Sequence, residues 1–395
     1  MKVLYIGHYK EFGGWAEAAK NYILALDSVG VDVVCRNVTL TKDREISGRL
    51  KELEEKDTDG CTVCIQHVLP HHLCGTSKFD KNIAFLASES HSIKHHSWIE
   101  FLNQMDDVWV PNKQSKENLT WDLSVFRWGT SPKVSVVPHT FNTDKYKKDY
   151  SHVNLNLGSE FDNKFVFYYI GDINDRKNIE TIFTCFHSEF DVSEPVELVI
   201  KANKFGHSPD QVYELLTNLS TKVKKSLRMY NSVTGQRSDR LEKYKRDIII
   251  PYKITDEEIC ALHQKLDCFI SPSHGEAWSI PAFDAMAFGS TPICSSFGGP
   301  RDFIVDSDRS TGTLVNGVYS TCKCSDSAFP DLFTGREYWF TPCEMEIRTA
   351  MRQYYEKSIE STFSNTLENK SAGLTRAEEF SYSNIGKRME VLINE

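Results

Sequence analysis

The chain lacks long apolar runs: nowhere do the ~18 consecutive apolar residues of a membrane-spanning helix stand together. It also lacks net positive charge. A formal charge of −9 argues against bulk nucleic-acid binding, which needs a basic face, but leaves room for a local basic pocket. No internal repeat and no low-complexity tract interrupts it. The opening residues, MKVLYIGHYK, hold one short apolar stretch and then turn polar, so they read as a first strand rather than a signal-peptide core. The expectation is a cytoplasmic protein whose eleven cysteines are free thiols, behaving as small apolar residues. Glycosylation sequons at Asn37, Asn118 and Asn218 carry little weight in that setting. What remains is an ordinary globular composition, 40% hydrophobic and 26% charged, with length for two or three domains.

Short Val/Ile-rich segments alternate with helix-length ones throughout. Strands are expected at residues 2–6, 31–36, 62–66, 83–87, 108–110 and 134–137, with helices at 15–28, 43–56, 97–105 and 113–122. A polar stretch at 142–163 follows. Alternation resumes with strands at 165–170, 196–201, 247–250 and 267–271, and helices from 177, near 211–230 and at 256–264. Residues 310–335 look irregular, and 345–358 and 377–391 helical. This pattern predicts an α/β protein of two doubly wound parallel-sheet domains facing across a cleft. Their bounds are 1–150, a linker at 151–163, 164–376, and a C-terminal helix at 377–395 packing back on the first domain.

Several turns carry candidate chemistry. In the first βα turn, Gly13 and Gly14 precede a helix, where a ligand can approach the backbone and an anion can meet free N–H groups. The turn is not G-x-G-x-x-G, so a nicotinamide dinucleotide is not indicated. The equivalent turn of the second half runs from Gly171 to Asn178. Its Arg176 and Lys177 stand at the start of the next helix, where a basic pair opposes the helix dipole and wants an anion. That anion is a bound diphosphate or merely Asp172 and Asp175. The stretch 271–302 reads as strand, polar turn, helix, strand and glycine turn. Glu276 lies in its turn and Asp284 one helical turn further on, an arrangement suited to a ligand with phosphate and hydroxyl groups.

Histidines cluster at His67, His71 and His72, but no cysteine spacing supports a zinc site. D-x-D sequences at Asp57 and Asp306 sit in turn-like contexts and are too short to specify a metal. No metal or cofactor is therefore expected. A second cluster follows a strand end at Glu89 and His91, where a cleft histidine would orient an acceptor or carry a proton.

Together these pieces resemble the retaining glycosyltransferases of family 4, glycosyl transferases group 1, which have the GT-B fold. The resemblance runs from Gly13-Gly14 through Val136-Val-Pro-His139 and Ile170-Gly171…Arg176-Lys177. Its most specific part is Glu276-Ala-Trp278-Ser279-Ile280-Pro-Ala-Phe-Asp284-Ala-Met-Ala-x-Gly289, which looks like the family's E-x7-E motif. The resemblance implies transfer of a sugar, a hexosyl group expected, from a UDP- or GDP-sugar to a carbohydrate or other hydroxyl acceptor. Glu276 would touch the donor sugar, Asp284 the ribose, and backbone N–H groups around Ser279 and Ile280 the diphosphate. Trp278 and Gly171 fall among the donor-side positions, His139 and Glu89 among the acceptor-side ones. Gly13-Gly14 would cap the diphosphate. Arg176 and Lys177 would take over the job of a metal ion on the leaving phosphate. Two departures stand out: the second motif acid is Asp284 rather than Glu, and Asp172 stands where many members carry Arg. No close carboxylate nucleophile is evident, so retention is expected by front-face substitution rather than double displacement. The rival readings are a nucleotide-sugar 2-epimerase on the same fold and an inactive sugar- or nucleotide-binding module.

Overall fold

The structure is a computed structural model that describes residues 1–40, 43–125, 131–155, 163–227, 244–304, 311–323, 333–360 and 364–395, the side chains of 364–368 excepted. The chain divides into two compact units. The first comprises Met1–Lys145, Glu276–Ile280 and Thr375–Glu395; the second comprises Tyr146–Gly275 and Pro281–Leu374. Part of the expected linker, 156–162, lies outside the described residues.

The first unit holds β1 (Lys2–Gly7), β2 (Asp32–Asn37), β3 (Val63–His67), β4 (Lys81–Phe85), β5 (Asp107–Val110) and β6 (Lys133–Val136). They pair in parallel in the order β2-β1-β3-β4-β5-β6. Connecting helices are α1 (Gly14–Ser28), α2 (Gly48–Glu55), α3 (Trp98–Leu102) and α4 (Lys113–Val125). All five residues of β3 are buried, as befits a central parallel strand covered on both faces. Helix α2 is shorter than the expected 43–56. Asp43 instead ties the preceding loop to the end of β2, its Oδ1 accepting from Asn37 Nδ2 at 2.9 Å and Thr39 Oγ1 at 2.8 Å.

The second unit holds β7 (Phe165–Asp172), β8 (Val196–Asn203), β9 (Ile248–Ile250), β10 (Cys268–Ser271), β11 (Ile293–Ser295) and β12 (Thr313–Val315). Their order is β12-β11-β10-β7-β8-β9, again parallel. The helices are α5 (Ile179–Glu189), α6 (Pro209–Leu227), α7 (Asp256–Lys265), α8 (Ile280–Phe288), α9 (Pro300–Phe303), α10 (Glu344–Glu360) and α11 (Ser364–Glu378). One face of the sheet, with Phe167, Leu198, Ile200 and Ile270, packs on Phe183 and Phe186 of α5 and Met351 of α10. Burying each such side chain contributes roughly 1.5–3 kcal/mol. Thr255 and Glu258 close a reciprocal capping box that starts α7.

Two expectations need correction. Residues 310–335 are not wholly irregular: β12 lies there, and β13 (Gly317–Thr321) pairs antiparallel with β14 (Tyr338–Pro342). All but one of the residues of β13 are exposed, so no buried apolar run marks it. The C-terminal helix is also not one piece. α11 ends at Glu378 and α12 (Tyr382–Asn394) starts afresh. At the break the Phe380 carbonyl accepts from Phe141 N at 3.0 Å and Thr140 Oγ1 at 3.1 Å. α12 then lies on α1, where Tyr382 Oη donates to Asn21 Oδ1 at 2.6 Å.

Both strand orders reverse direction once. The reversals fall between β1 and β3 in the first unit and between β7 and β10 in the second. In open α/β sheets such switch points, at the carboxyl ends of the strands, are where ligands bind.

Candidate functional site

At the switch point of the second unit, the turn after β7 and the turn after β10 are hydrogen-bonded into one body. Arg176 Nη1 donates to the Gly275 carbonyl. The Arg176 carbonyl in turn accepts from His274 N at 2.7 Å and Ser273 Oγ at 3.0 Å, and Asn178 Nδ2 donates to Pro272 O at 3.0 Å. Arg176 and Lys177 are both partly exposed. They stand one turn ahead of α5 rather than in it, a correction to their expected place at the helix start. They belong to a single 3-10 turn, Asp175–Lys177, in which Asn174 Oδ1 accepts from Lys177 N at 3.0 Å. Asn178, left-handed at φ 54°, separates that turn from the helix. The basic pair is thus displayed on a braced turn at the carboxyl end of the sheet. Gly171 has a packing reason to be glycine: a Cβ there would lie 2.4 Å from Tyr169 Oη, which donates to the Asp172 carbonyl at 3.0 Å.

Glu276, 6% exposed, opens the short segment that belongs to the first unit. Within that unit the Ala277 carbonyl accepts from Asn112 Nδ2 at 2.8 Å. The Trp278 ring stacks on His139 with centroids 5.6 Å apart and meets Phe380 edge-on at 5.2 Å. Trp278 is buried, so its ring is an anchor and any ligand contact from this position falls to its backbone. Ser279 has φ 72°, a left-handed conformation that a serine holds only where its surroundings enforce it. Ile280, the first residue of α8, approaches the first βα turn: a Cβ on Gly14 would lie 3.5 Å from Ile280 Cδ1. Gly13 has φ 97°, which favours glycine. The first N–H groups of α8 have no intrahelical acceptors, leaving them to an anion or a cap.

Asp284 is buried in the second unit, and its Oδ1 accepts from Tyr146 Oη at 2.6 Å. Sequence reasoning missed Tyr146 because it falls in a polar stretch read as a loop; the phenol is fully buried.

In the first unit His91 lines a small open pocket with Ser90, Ile93, Asn118 and Asp122. Its Nδ1 lies 3.1 Å from Asn118 Nδ2, and burial lowers its pKa. Asp122 was also missed. It is a buried carboxylate accepting from Ile93 N at 2.7 Å and Ser92 Oγ at 2.8 Å, with its pKa raised by burial. Glu89 is partly exposed nearby in sequence. His139 is buried, and desolvation drives its pKa down to about 3, so it stands as a neutral imidazole. His67 packs beside Tyr22 and Phe85, with its Nδ1 2.8 Å from Tyr5 Oη. Among the described residues no three His, Cys, Asp or Glu side chains converge as metal ligands, and the ten cysteines are free thiols. No described helix is long and apolar enough to cross a membrane.

Residues 158–320 match the family model described as glycosyl transferases group 1. No curated protein matches the chain by sequence. Solved structures resemble the whole chain in fold. HepE from Anabaena in complex with UDP-glucose is 14% identical with a TM-score of 0.66, covering 100% of this chain and 99% of that one. Sucrose-phosphate synthase from Thermosynechococcus elongatus is 14% identical with a TM-score of 0.63, covering 100% and 98%. The E. coli trehalose-6-phosphate protein bound with UDP-2-fluoro glucose is 10% identical with a TM-score of 0.66, covering 100% and 99%. Residues 158–320 thus match the glycosyl transferases group 1 model, within a chain whose two Rossmann-like parallel sheets have the GT-B fold.

Proposed function

We propose that the chain is a metal-independent, anomer-retaining glycosyltransferase that moves a hexosyl group from a nucleoside-diphosphate sugar to a hydroxyl of a carbohydrate acceptor. The observation that supports this reading is the braced turn at the β7/β10 switch point, which holds Arg176 and Lys177 side by side at the carboxyl end of the sheet. Two fixed cations there stabilise charge on the departing phosphate, which is what a metal ion otherwise supplies. UDP is the favoured nucleotide, since structural neighbours hold UDP-glucose.

Glu276 stabilises charge at the anomeric carbon and orients the sugar hydroxyls, Ser279 and Ile280 offer backbone N–H groups to the diphosphate, and Gly13-Gly14 keeps the first turn open to it. Asp284 contacts the ribose. His91, with Glu89, serves the acceptor. The leaving phosphate takes the acceptor's proton during front-face substitution. Glu276→Gln and Lys177→Ala should each lower turnover of a UDP-sugar by at least ~100-fold with the fold intact, the loss expected for a preorganised charge contact. Transfer should survive EDTA. Near-wild-type turnover in both variants would refute these roles, and free nucleotide released without an acceptor would favour the epimerase reading.

A further inference from the structure

A lysine lies where the second sheet runs out. Lys201, 3% exposed, pairs in register with Ile170 of β7 and Ile250 of β9, the last row that spans all three strands. Registered neighbours share a face, so its stem runs between two isoleucines. Its Nζ donates to Asn203 Oδ1 at 2.9 Å, and Asn203 is itself in register with Asp172. Among the described residues that is the one hydrogen bond of an ammonium with three N–H donors. Burial lowers its pKa to about 8; the Asp172 carboxylate counters that and Lys253 reinforces it. A buried ammonium with spare donors needs an acceptor.

Two further side chains point to what that acceptor belongs to. Phe205 follows β8 and is 75% exposed; Tyr252 follows β9 and is 48% exposed. Exposed aromatic rings just past the ends of Lys201's own strand and of its neighbour β9 suit a flat ring that is apolar on its faces and polar at its edge. A diphosphate bound at the β7/β10 switch point would lie on the other flank of β7, about one and a half strand spacings or ~7 Å from β8. The remainder of a nucleotide therefore has β8 and β9 beside it.

We propose that Lys201 is a specificity-determining residue of the nucleotide site, donating a hydrogen bond to a ring carbonyl of the base while Phe205 and Tyr252 stack on its faces. The inference rests on the nucleoside-diphosphate-sugar reading above and adds the base. Uracil and thymine offer O4 and guanine O6 as acceptors at that edge, whereas adenine and cytosine present an amino group, which would set donor against donor.

The test is calorimetric binding of UDP, CDP, dTDP, GDP and ADP to the full chain. UDP and CDP are the sharpest pair, since they share sugar, diphosphate and O2 and differ at one base edge, O4 with N3–H against an amino group with a bare N3, and they need no variant. The wild-type chain should bind UDP at least ~10-fold more tightly than CDP, as for a hydrogen bond to a charged group. Lys201→Met should bring that ratio close to unity by weakening UDP. Phe205→Ala and Tyr252→Ala, both at exposed positions, should weaken all five nucleotides alike because stacking tolerates any base. CDP or ADP binding as tightly as UDP and GDP to the wild type would overturn the proposal, as would an unchanged ranking in folded Lys201→Met. A wild-type chain that binds none of the five would instead refute the nucleotide-sugar reading itself.

Discussion

Acid should destabilise the first unit through His139, and the size of the effect follows from its burial. The imidazole is enclosed beside Trp278 and Tyr22, and neither ring nitrogen has a hydrogen-bond partner among the described residues. Its pKa falls from the ordinary 6.5 to about 3 because burial penalises the charged form. The unfolded chain therefore takes up the proton first, and stability present above ~6.5 is lost as pH falls toward the folded value. From those two values the loss between pH 7 and pH 5 is about 2 kcal/mol for this one group. His67 and His8, lowered by burial as well, add to the total in the same direction. His139→Phe removes the titration and the two unsatisfied nitrogens while keeping a flat ring against Trp278. Urea unfolding of both proteins at pH 7 and pH 5 gives the comparison, since every other group titrates alike in the two. The variant should be as stable as wild type at pH 7 and lose about 2 kcal/mol less on acidification. An equal loss in both proteins would show that His139 is protonated without penalty, and the buried-imidazole argument would fail.

Other outcomes follow from close approaches in the second unit. Gly373 of α11 faces α8 so tightly that a Cβ would lie 1.9 Å from the Met286 carbonyl oxygen. Gly373→Ala should cost about 1–3 kcal/mol as overpacking, read as a lowered thermal midpoint; an unchanged midpoint would mean the two helices do not pack this way. Asp247, its side chain 7% exposed, accepts from His187 Nε2 at 2.8 Å, Ser220 Oγ at 2.5 Å and Lys224 Nζ at 2.6 Å. Asp247→Ala strands Lys224 and should cost about 3–5 kcal/mol in chemical denaturation. A loss below 1 kcal/mol would show that water replaces the carboxylate.

The sheets were legible in the sequence because parallel strands covered on both faces must be apolar along their length. The run Phe165–Ile170 advertises itself in this way, and the Gly/Pro punctuation around α8 does the same for the candidate site. What stayed hidden depends on contacts across the chain. β13 is solvent-facing and exists because β14 supplies its ladder. The break between α11 and α12 is made by a carbonyl drawn to Thr140 and Phe141, more than two hundred residues earlier. Asn178 illustrates a local miss: asparagine is among the residues that most readily turn left-handed, and here it moves the basic pair out of the helix. Lys201 was passed over because a lysine near a strand end ordinarily reaches solvent.

Asp284 shows how one residue can satisfy the motif and the fold together. The resemblance assigns it the ribose, but a side chain one methylene shorter than glutamate reaches less far from α8. The structure gives its Oδ1 to Tyr146, a fully buried phenol at the entry to the second unit. That bond fixes the carboxylate's orientation, and it pins the incoming chain to the helix carrying the motif. A glutamate here would carry its carboxyl past the position Tyr146 reaches, losing the pin. The shortened acid is therefore held by a buried partner and belongs to the architecture of this unit.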